Sequence, residues 1–272
     1  MRVPVLTYHS NNIAGNDYTG NDHVAFAADL RLIDDLGLRI VPLQHVVDRL
    51  LGRHADDLHR CVALTCDDGT DFDHVDIDHP TDGLQRSLFN CLRDFRSLRG
   101  DEAQPDLHLT SFVISDPGAR ELMDKACMVG RGWMNEAWWR EVDSSGLMAI
   151  ENHSWDHNHP CLPTPGPLGL VRGDFFAIKT EAQAEFEITQ AQDYLQARLG
   201  RRPRLFCYPF GHISEYLYKD WLPTRGPQVG LDAAFGDGAT PVTESGDRWN
   251  LPRYICGWHW KTPDELRAIL EA

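Results

Sequence analysis

Short apolar runs alternate along this chain with segments whose apolar residues recur at helical spacing. The runs predict buried strands at Val3–Tyr8, Leu38–Val41, Cys61–Cys66, Thr110–Ile114, Met148–Asn152, Leu205–Tyr208 and Asp232–Phe235. The spaced segments predict helices at Phe26–Leu36, Leu43–Leu51, Leu84–Leu98, Glu136–Val142, Thr180–Leu199 and Pro263–Leu270. Repeated strand–helix units imply parallel strands with right-handed crossovers. Their number in 272 residues favours a closed or nearly closed α/β barrel, with an open doubly wound sheet as the alternative.

No repeat, low-complexity tract or Gly/Ser-rich linker divides the chain, so residues 1–272 are expected to form a single domain. Acidic residues outnumber basic ones by 41 to 26, which gives a net charge of −15. Nucleic acid is therefore not an expected partner, because duplex binding needs clustered Lys and Arg. A membrane is not expected either, because an anionic lipid surface would repel the chain.

The chain lacks the patterns that direct a protein into or across a membrane. No apolar run approaches the roughly 18–20 residues of a membrane span, and the N-terminal apolar segment is too short for a secretory signal. The seven cysteines are scattered, with no C-x-x-C pair, which is typical of reduced thiols. These patterns predict a cytoplasmic location, and they carry no signal of oligomeric state.

Residues capable of metal binding and acid–base chemistry follow several predicted strands. Such strand ends meet at one rim in a β/α barrel. These residues are His9, Asp67, Asp68, His153 and His157. On a helix, His153 and His157 would share a face, and with an Asp they would form the N/N/O set of a catalytic zinc site. Taken separately, Asp-Gly after a strand is also an ordinary turn, and two solvated histidines would show the same spacing.

Four segments in order, VLTYHS, VALTCDDGT, ENHSWDH and FCYPFG, together resemble the polysaccharide deacetylase family, also called the NodB homology domain. The family's T-F-D-D-G motif corresponds to Thr65–Gly69, H-[ST]-x-x-H to His153–His157, and R-x-P-[YF]-G to Cys207–Gly211. The resemblance extends from Val3 to about Ile255. It implies a distorted (β/α)7 barrel. It also implies a metal-dependent hydrolase that removes N-acetyl groups from an N-acetylated amino sugar or polysaccharide.

The resemblance also implies roles for individual residues. Asp67 corresponds to the general base that activates water. Asp68, His153 and His157 correspond to the ligands of one divalent metal, commonly zinc. The backbone N–H of Phe210 corresponds to the group that stabilises the oxyanion. Tyr208 and His9 are expected to line the same substrate-binding region.

The sequence departs from the family pattern in two places. Cys207 stands where the third motif has the Arg that orients the base, and Arg253 is the candidate replacement, as in deacetylases of the poly-N-acetylglucosamine type. A surface position for Arg253 is the alternative. The late Leu-x-His motif is not clearly present, and His259, the one histidine near its place, is more typical of a packed or exposed side chain. The proton donor to the leaving group is therefore unassigned.

These departures keep two other functions open. One is a non-catalytic carbohydrate-binding relative of the same fold, and the other is a metal hydrolase of a non-sugar amide or imide.

The inserted segment Asp71–Gly83 is rich in Asp and His, but Val75 breaks the spacing of a calcium-binding loop. This segment is expected to form a solvated acidic loop beside the rim. Trp258 belongs to a set of tryptophans that could stack on sugars or pack in the core.

Overall fold

A computed structural model describes all residues, Met1–Ala272, and a sheet of parallel strands lies at its centre. The strands in chain order are β1 (Arg2–Val3), β2 (Val5–Tyr8), β3 (Arg39–Ile40), β4 (Cys61–Cys66), β5 (Ile77–His79), β6 (Gly83–Gln85), β7 (Leu109–Val113), β8 (Met148–Asn152), β9 (Leu205–Cys207), β10 (Ala233–Phe235), β11 (Val242–Thr243) and β12 (Tyr254–Ile255). The central sheet has eight strands in the order β10-β9-β8-β7-β4-β2-β12, with β3 paired to β4. Two antiparallel pairs, β1 with β11 and β5 with β6, lie outside it.

The two edges of the central sheet approach each other at the segment Leu251–Ile255. At one edge, Leu251 forms a parallel bridge with Phe235 of β10. At the other, Tyr254 of β12 pairs in parallel with Leu6 of β2. One short segment therefore contacts both edges and curls the sheet into a nearly closed barrel. The prediction of a distorted (β/α)7 barrel is confirmed, and the open doubly wound alternative is wrong.

Helices cover the outside of the sheet. They are α1 (Asp22–Asp35), α2 (Leu43–Leu50), α3 (Leu88–Arg99), α4 (Pro117–Cys127), α5 (Trp139–Asp143), α6 (Glu181–Ala184), α7 (Gln190–Leu199), α8 (Leu222–Arg225) and α9 (Pro263–Glu271). A π-helical segment, Glu185–Thr189, joins α6 to α7, and a second, Leu217–Trp221, precedes α8. None of these helices has the length and apolar content to cross a bilayer.

Several predicted boundaries differ from the structure. The first predicted strand is divided at Pro4 into β1 and β2. Helix α3 begins at Leu88 rather than Leu84, because Gly83–Gln85 forms β6 and the Ser87 side chain caps the helix. The sequence pattern did not predict helices α4 and α8, nor the short strands β5, β6, β11 and β12.

The two faces of β4 belong to different apolar clusters. In β4, Val62 and Leu64 pack with the outer helices, whereas Cys61 and Ala63 belong to the cluster that includes the barrel interior. Because strand side chains alternate, the next inward positions after Ala63 are Thr65 and Asp67. The strand period therefore directs Asp67 into the upper end of the barrel.

Candidate active site

A cavity of about 430 Å³ lies where the carboxyl ends of the parallel strands meet. Among the residues predicted to form the site, those that line this cavity are His9, Asp67, Asp68, His153, His157, Phe210 and Arg253. Segments far apart in the chain thus bring these side chains to one rim. Tyr208 and His259, which were also considered, do not line the cavity.

Asp67 and Arg253 form a buried ion pair at the base of the cavity. Nη1 of Arg253 donates to Oδ1 of Asp67 and Nη2 donates to Oδ2, each over 2.8 Å. This fork-to-fork geometry fixes the carboxylate plane. The side chains are only 2% and 5% exposed, so solvent screens the pair weakly. The structure therefore does not support a surface position for Arg253.

Cys207 lies beside this pair, on the inward face of β9. Nη2 of Arg253 is 2.8 Å from its sulfur, and Nε donates to the carbonyl of Gly236 over 3.0 Å. The guanidinium thus reaches Asp67 from the segment before β12, although the motif position on β9 carries a thiol. Burial alone would raise the pKa of the Asp67 carboxyl, but the charge and hydrogen bonds of Arg253 outweigh burial and hold that pKa below its ordinary value.

His153, His157 and Asp68 face one another on the neighbouring wall of the cavity. Nε2 of His153 and Nε2 of His157 lie 3.7 Å and 3.8 Å from Oδ1 of Asp68. A tetrahedral cation with bonds of about 2.0–2.1 Å would separate such donors by about 3.4 Å. These donor atoms thus fit one divalent cation after small side-chain adjustments.

The environment of the two imidazoles also fits a metal site. Nδ1 of His153 lies 3.0 Å from the carbonyl of Cys207, which places the proton on Nδ1 and leaves Nε2 free to bind a cation. Burial lowers the pKa of His153 and of His157, so both rings are neutral at pH 7, as ligands must be.

The backbone that presents these histidines is a loop, and the helical placement considered for the pair is wrong. The segment after β8 has no helix, and Ser154 and His157 have φ values of 72° and 61°. The Ser154 hydroxyl accepts a hydrogen bond from the His157 N–H over 2.9 Å and stabilises the turn. The rings of His153 and His157 thus meet because a tight turn joins the two residues, and not because they share one face of a helix.

Asp67, His153 and Cys207 form a second group whose donor atoms lie within 4.8 Å of one another. A cation there would lie next to the Arg253 guanidinium, which already contacts both Asp67 oxygens and the Cys207 sulfur. Repulsion between the two cationic charges disfavours that position. The geometry therefore separates a carboxylate held by arginine, Asp67, from a carboxylate beside the histidines, Asp68.

Asp68 and Gly69 both adopt left-handed backbone conformations, with φ values of 74° and 69°. A Cβ atom added at Gly69 would lie 2.5 Å from the Val113 side chain. Only glycine therefore fits this turn against β7 without displacement. The close approach explains why a glycine follows the two carboxylates.

The segment after β9 places Phe210 at the cavity and Tyr208 outside the barrel. Phe210 has a φ of 59°, and its ring contacts the ring of His157 with centroids 4.3 Å apart. Tyr208 follows the strand alternation outward, and its hydroxyl donates to the Trp249 carbonyl over 2.8 Å. The expectation that the Tyr208 side chain contacts substrate therefore lacks structural support, because strand periodicity directs it into an outer apolar cluster.

His259 accepts a hydrogen bond at Nδ1 from the Ile255 N–H over 2.8 Å, a contact that stabilises the turn after β12. The expectation of a packed or exposed histidine, rather than a proton donor at the cavity, agrees with this position. His9 does line the cavity, with Nε2 4.0 Å from Oδ2 of Asp67.

The prediction of a solvated acidic loop at Asp71–Gly83 is wrong for the first three residues, which are buried, whereas most of the remaining segment is exposed or half-buried. Asp73 is fully buried and accepts hydrogen bonds from Ser10 and Ser111. Asp71 is also buried and accepts from the Trp138 indole over 3.0 Å. These acidic residues therefore support the strand ends beneath the rim, because neighbouring hydroxyl and N–H groups satisfy their oxygens.

Other cavity-lining residues were not predicted from the sequence. Asp237 follows β10, and three methionines, Met123, Met128 and Met134, form an apolar wall. Trp258 is 78% exposed at the same cavity and presents a free aromatic face. A polar residue after a predicted strand was the available signal for Asp237, whereas no periodic pattern marks the methionines.

The barrel, with carboxylates and imidazoles at the carboxyl ends of its strands, has the architecture of a β/α-barrel enzyme. Residues 103–221 match a family model described as polysaccharide deacetylase. This match, together with the structural neighbours, confirms the resemblance to the polysaccharide deacetylase (NodB homology) family. The matched segment includes both histidines, whereas Asp67, Asp68 and Arg253 lie outside it.

Solved structures show the same fold over nearly the whole chain. The deacetylase PplD of Streptococcus pyogenes, described in complex with acetate, has a TM-score of 0.67 and 16% identity, covering 100% of this chain and 99% of that one. IcaB from Ammonifex degensii has a TM-score of 0.64 and 22% identity, with coverages of 100% and 97%. A de-N-acetylase from Aggregatibacter actinomycetemcomitans has a TM-score of 0.62 and 15% identity, with coverages of 95% and 96%. No curated protein sequence matches the chain.

Proposed function

We propose that this protein is a metal-dependent hydrolase that removes N-acetyl groups from an N-acetylated amino sugar or polysaccharide. One observation carries the proposal: Asp67, held by Arg253, lies beside the Asp68–His153–His157 donor set in an open cavity. The family match supports this activity, as do neighbours named as deacetylases.

Asp68, His153 and His157 would hold the cation. A divalent cation there supplies Lewis acidity, which polarises an amide carbonyl and lowers the pKa of a bound water toward about 7. The ring of Phe210 packs against His157 and restricts the orientation of that ligand. The same residue offers the backbone N–H proposed to stabilise negative charge on the substrate carbonyl oxygen.

Asp67 would accept the proton of the attacking water. Arg253 keeps this carboxyl ionised at neutral pH, which a base requires. Each carboxylate oxygen accepts only one hydrogen bond from the guanidinium and retains further acceptor capacity. Arg253 is thus a positioning residue, and its location supports a catalytic function over the binding-module alternative that Cys207 raised.

The cavity itself suits a saccharide. The exposed Trp258 ring offers a stacking surface at the entrance, and the Asp237 carboxylate can accept hydrogen bonds from sugar hydroxyls. Sugars combine apolar ring faces with hydroxyl groups, so this pairing of aromatic and acidic side chains matches both.

Acetate release from a panel of N-acetylglucosamine oligomers, measured with zinc-loaded protein, tests the proposal. We expect release by the wild type and strongly reduced release by Asp67→Asn at unchanged metal content. A wild-type protein that binds zinc and the oligomers but releases no acetate would overturn the proposal in favour of a binding module. Turnover confined to non-sugar amides or imides would instead favour the other alternative.

A further inference from the structure

A second cluster of potential metal ligands lies at the edge of the cavity, separate from the Asp68–His153–His157 set. Cys127 is the last residue of α4, whereas His159 and Cys161 follow the histidine turn after β8. The donor atoms of the three side chains lie within 4.8 Å of one another. Nδ1 of His159 is 3.0 Å from the Cys161 sulfur. Two elements distant in sequence thus converge on one point.

The burial of the cysteines distinguishes these two thiols from the others. Cys61, Cys66, Cys91, Cys207 and Cys256 are buried, where a thiol acts as a small apolar side chain. Cys127 is exposed and Cys161 is half-buried. The two accessible thiols of the chain, Cys127 and Cys161, therefore lie close together, and the imidazole of His159 lies beside them.

We propose that Cys127, His159 and Cys161 bind a second, thiophilic divalent cation such as Zn²⁺ at the cavity wall. Two sulfurs and one imidazole nitrogen form the ligand set of many zinc sites, with the fourth position left to water. Bonds of about 2.3 Å place tetrahedral sulfur donors about 3.8 Å apart, so movements of about 1 Å complete the site. Each thiol releases its proton to solvent as its bond to the cation forms.

The cation would join two segments that wall the cavity. Cys127 and His159 both line it, and Met128 follows Cys127 directly. Occupancy therefore links the end of α4 to the loop that carries His157. The two thiolates neutralise the divalent cation, so the bound site adds no net charge to the rim. The site is independent of the proposed deacetylase activity, because its ligands are distinct from the catalytic set.

Cobalt titration tests the proposal, because thiolate-bound Co²⁺ has a ligand-to-metal charge-transfer band in the near ultraviolet and carboxylate- or imidazole-bound Co²⁺ lacks it. We expect wild-type protein to bind two equivalents and to show the band. His153→Ala should lose one equivalent and keep the band, whereas Cys127→Ser/Cys161→Ser should keep one equivalent and lose the band. Cys91→Ser, which alters a thiol outside the cavity, serves as the matched control and should behave as wild type.

A second readout uses unmodified wild-type protein. Zn²⁺ should protect two thiols from alkylation under reducing conditions, and mass analysis should locate them at Cys127 and Cys161. Absence of the charge-transfer band in wild type, or its persistence in the double variant, would overturn the proposal. A Cys127–Cys161 disulfide that persists in reductant would also overturn it, because both sulfurs would then be unavailable to a cation.

Discussion

Replacement of Arg253 by alanine should alter the pH dependence of the proposed reaction more than any other single change at the cavity. The substitution removes the two hydrogen bonds that the guanidinium donates to Asp67, and it removes the permanent positive charge beside that carboxylate. Asp67 would remain buried, and burial favours the neutral carboxyl. The variant thus converts a carboxylate that is ionised at all working pH values into one that titrates within them.

The geometry sets the size of this effect. Charge centres about 4 Å apart interact by about 4 kcal/mol at an effective dielectric constant of 20. At 1.36 kcal/mol per pKa unit, loss of the guanidinium raises the pKa of Asp67 by about three units. The direction follows from the wild-type shift: the carboxyl has a lowered pKa, so its base form is lost only as the pH falls through that low value.

Initial rates of acetate release between pH 4 and pH 9, with zinc content measured at each pH, provide the assay. We expect Arg253→Ala to show an acid limb at higher pH than wild type and a rate at neutral pH reduced well beyond any loss of metal. Arg253→Lys keeps a charge without the fork and should give an intermediate acid limb. Arg49→Ala, which breaks an exposed arginine–carboxylate pair with Glu244, is the matched control.

The removal of one partner from a buried ion pair typically destabilises a fold by about 3–5 kcal/mol, so thermal unfolding must show that each variant is folded at the assay temperature. An acid limb unchanged in folded, metal-loaded Arg253→Ala would refute the reasoning. The guanidinium would then be a structural element with no influence on the ionisation of Asp67.

Three further predictions concern neighbouring positions. Asp67→Asn should retain the cation and reduce turnover by ~10²–10⁴-fold, whereas Asp68→Asn should lose the cation. Elemental analysis of both variants, together with their rates of acetate release, checks this prediction. Metal loss in Asp67→Asn alone would mean that Asp67 is the ligand and Asp68 the base. Gly69→Ala should destabilise the fold by about 1–3 kcal/mol in thermal unfolding, whereas Gly52→Ala, with the same φ of 69° and no atom within 4 Å of an added Cβ, should cost less. Burial raises the pKa of Asp73 to about 7, so the free energy of unfolding should fall as the pH rises from about 4 to 7. In denaturant titrations, Asp73→Asn should show a smaller change of this free energy with pH than wild type. An equal pH dependence in both proteins would contradict this account.

Two of the predicted strands have the bounds that the structure shows. Cys61–Cys66 and Met148–Asn152 match β4 and β8 because both strands are buried on two faces. β12 has two residues, and its strand character comes from pairing with β2 rather than from local composition. Helix α4 begins with the Asp116 cap and Pro117, which are local signals, but its buried residues include the charged Arg120 and Asp124.

The candidate site was predictable where side-chain chemistry and strand ends coincide, as at Asp67, Asp68 and His153. The left-handed turn that presents His157 was not, because it depends on backbone φ values rather than on residue type. Burial of Asp73 could not be predicted either, since its partners are distant in sequence: Ser10 follows β2, and Ser111 lies within β7. Hydrogen bonds between residues distant in sequence determine whether such a side chain is buried, and the local sequence pattern does not reveal those bonds.

The closure of the barrel by Leu251–Ile255 has a consequence for biosynthesis. Asp67 and Arg253 are 186 residues apart, so at 5–20 residues per second their synthesis is separated by about 10–40 s. A nascent chain that ends before this segment has unpaired edges at β2 and β10, and such edges are prone to pair with other chains. It also lacks the guanidinium that neutralises Asp67. Synthesis of Leu251–Ile255 therefore completes both the sheet and the charge balance of the cavity.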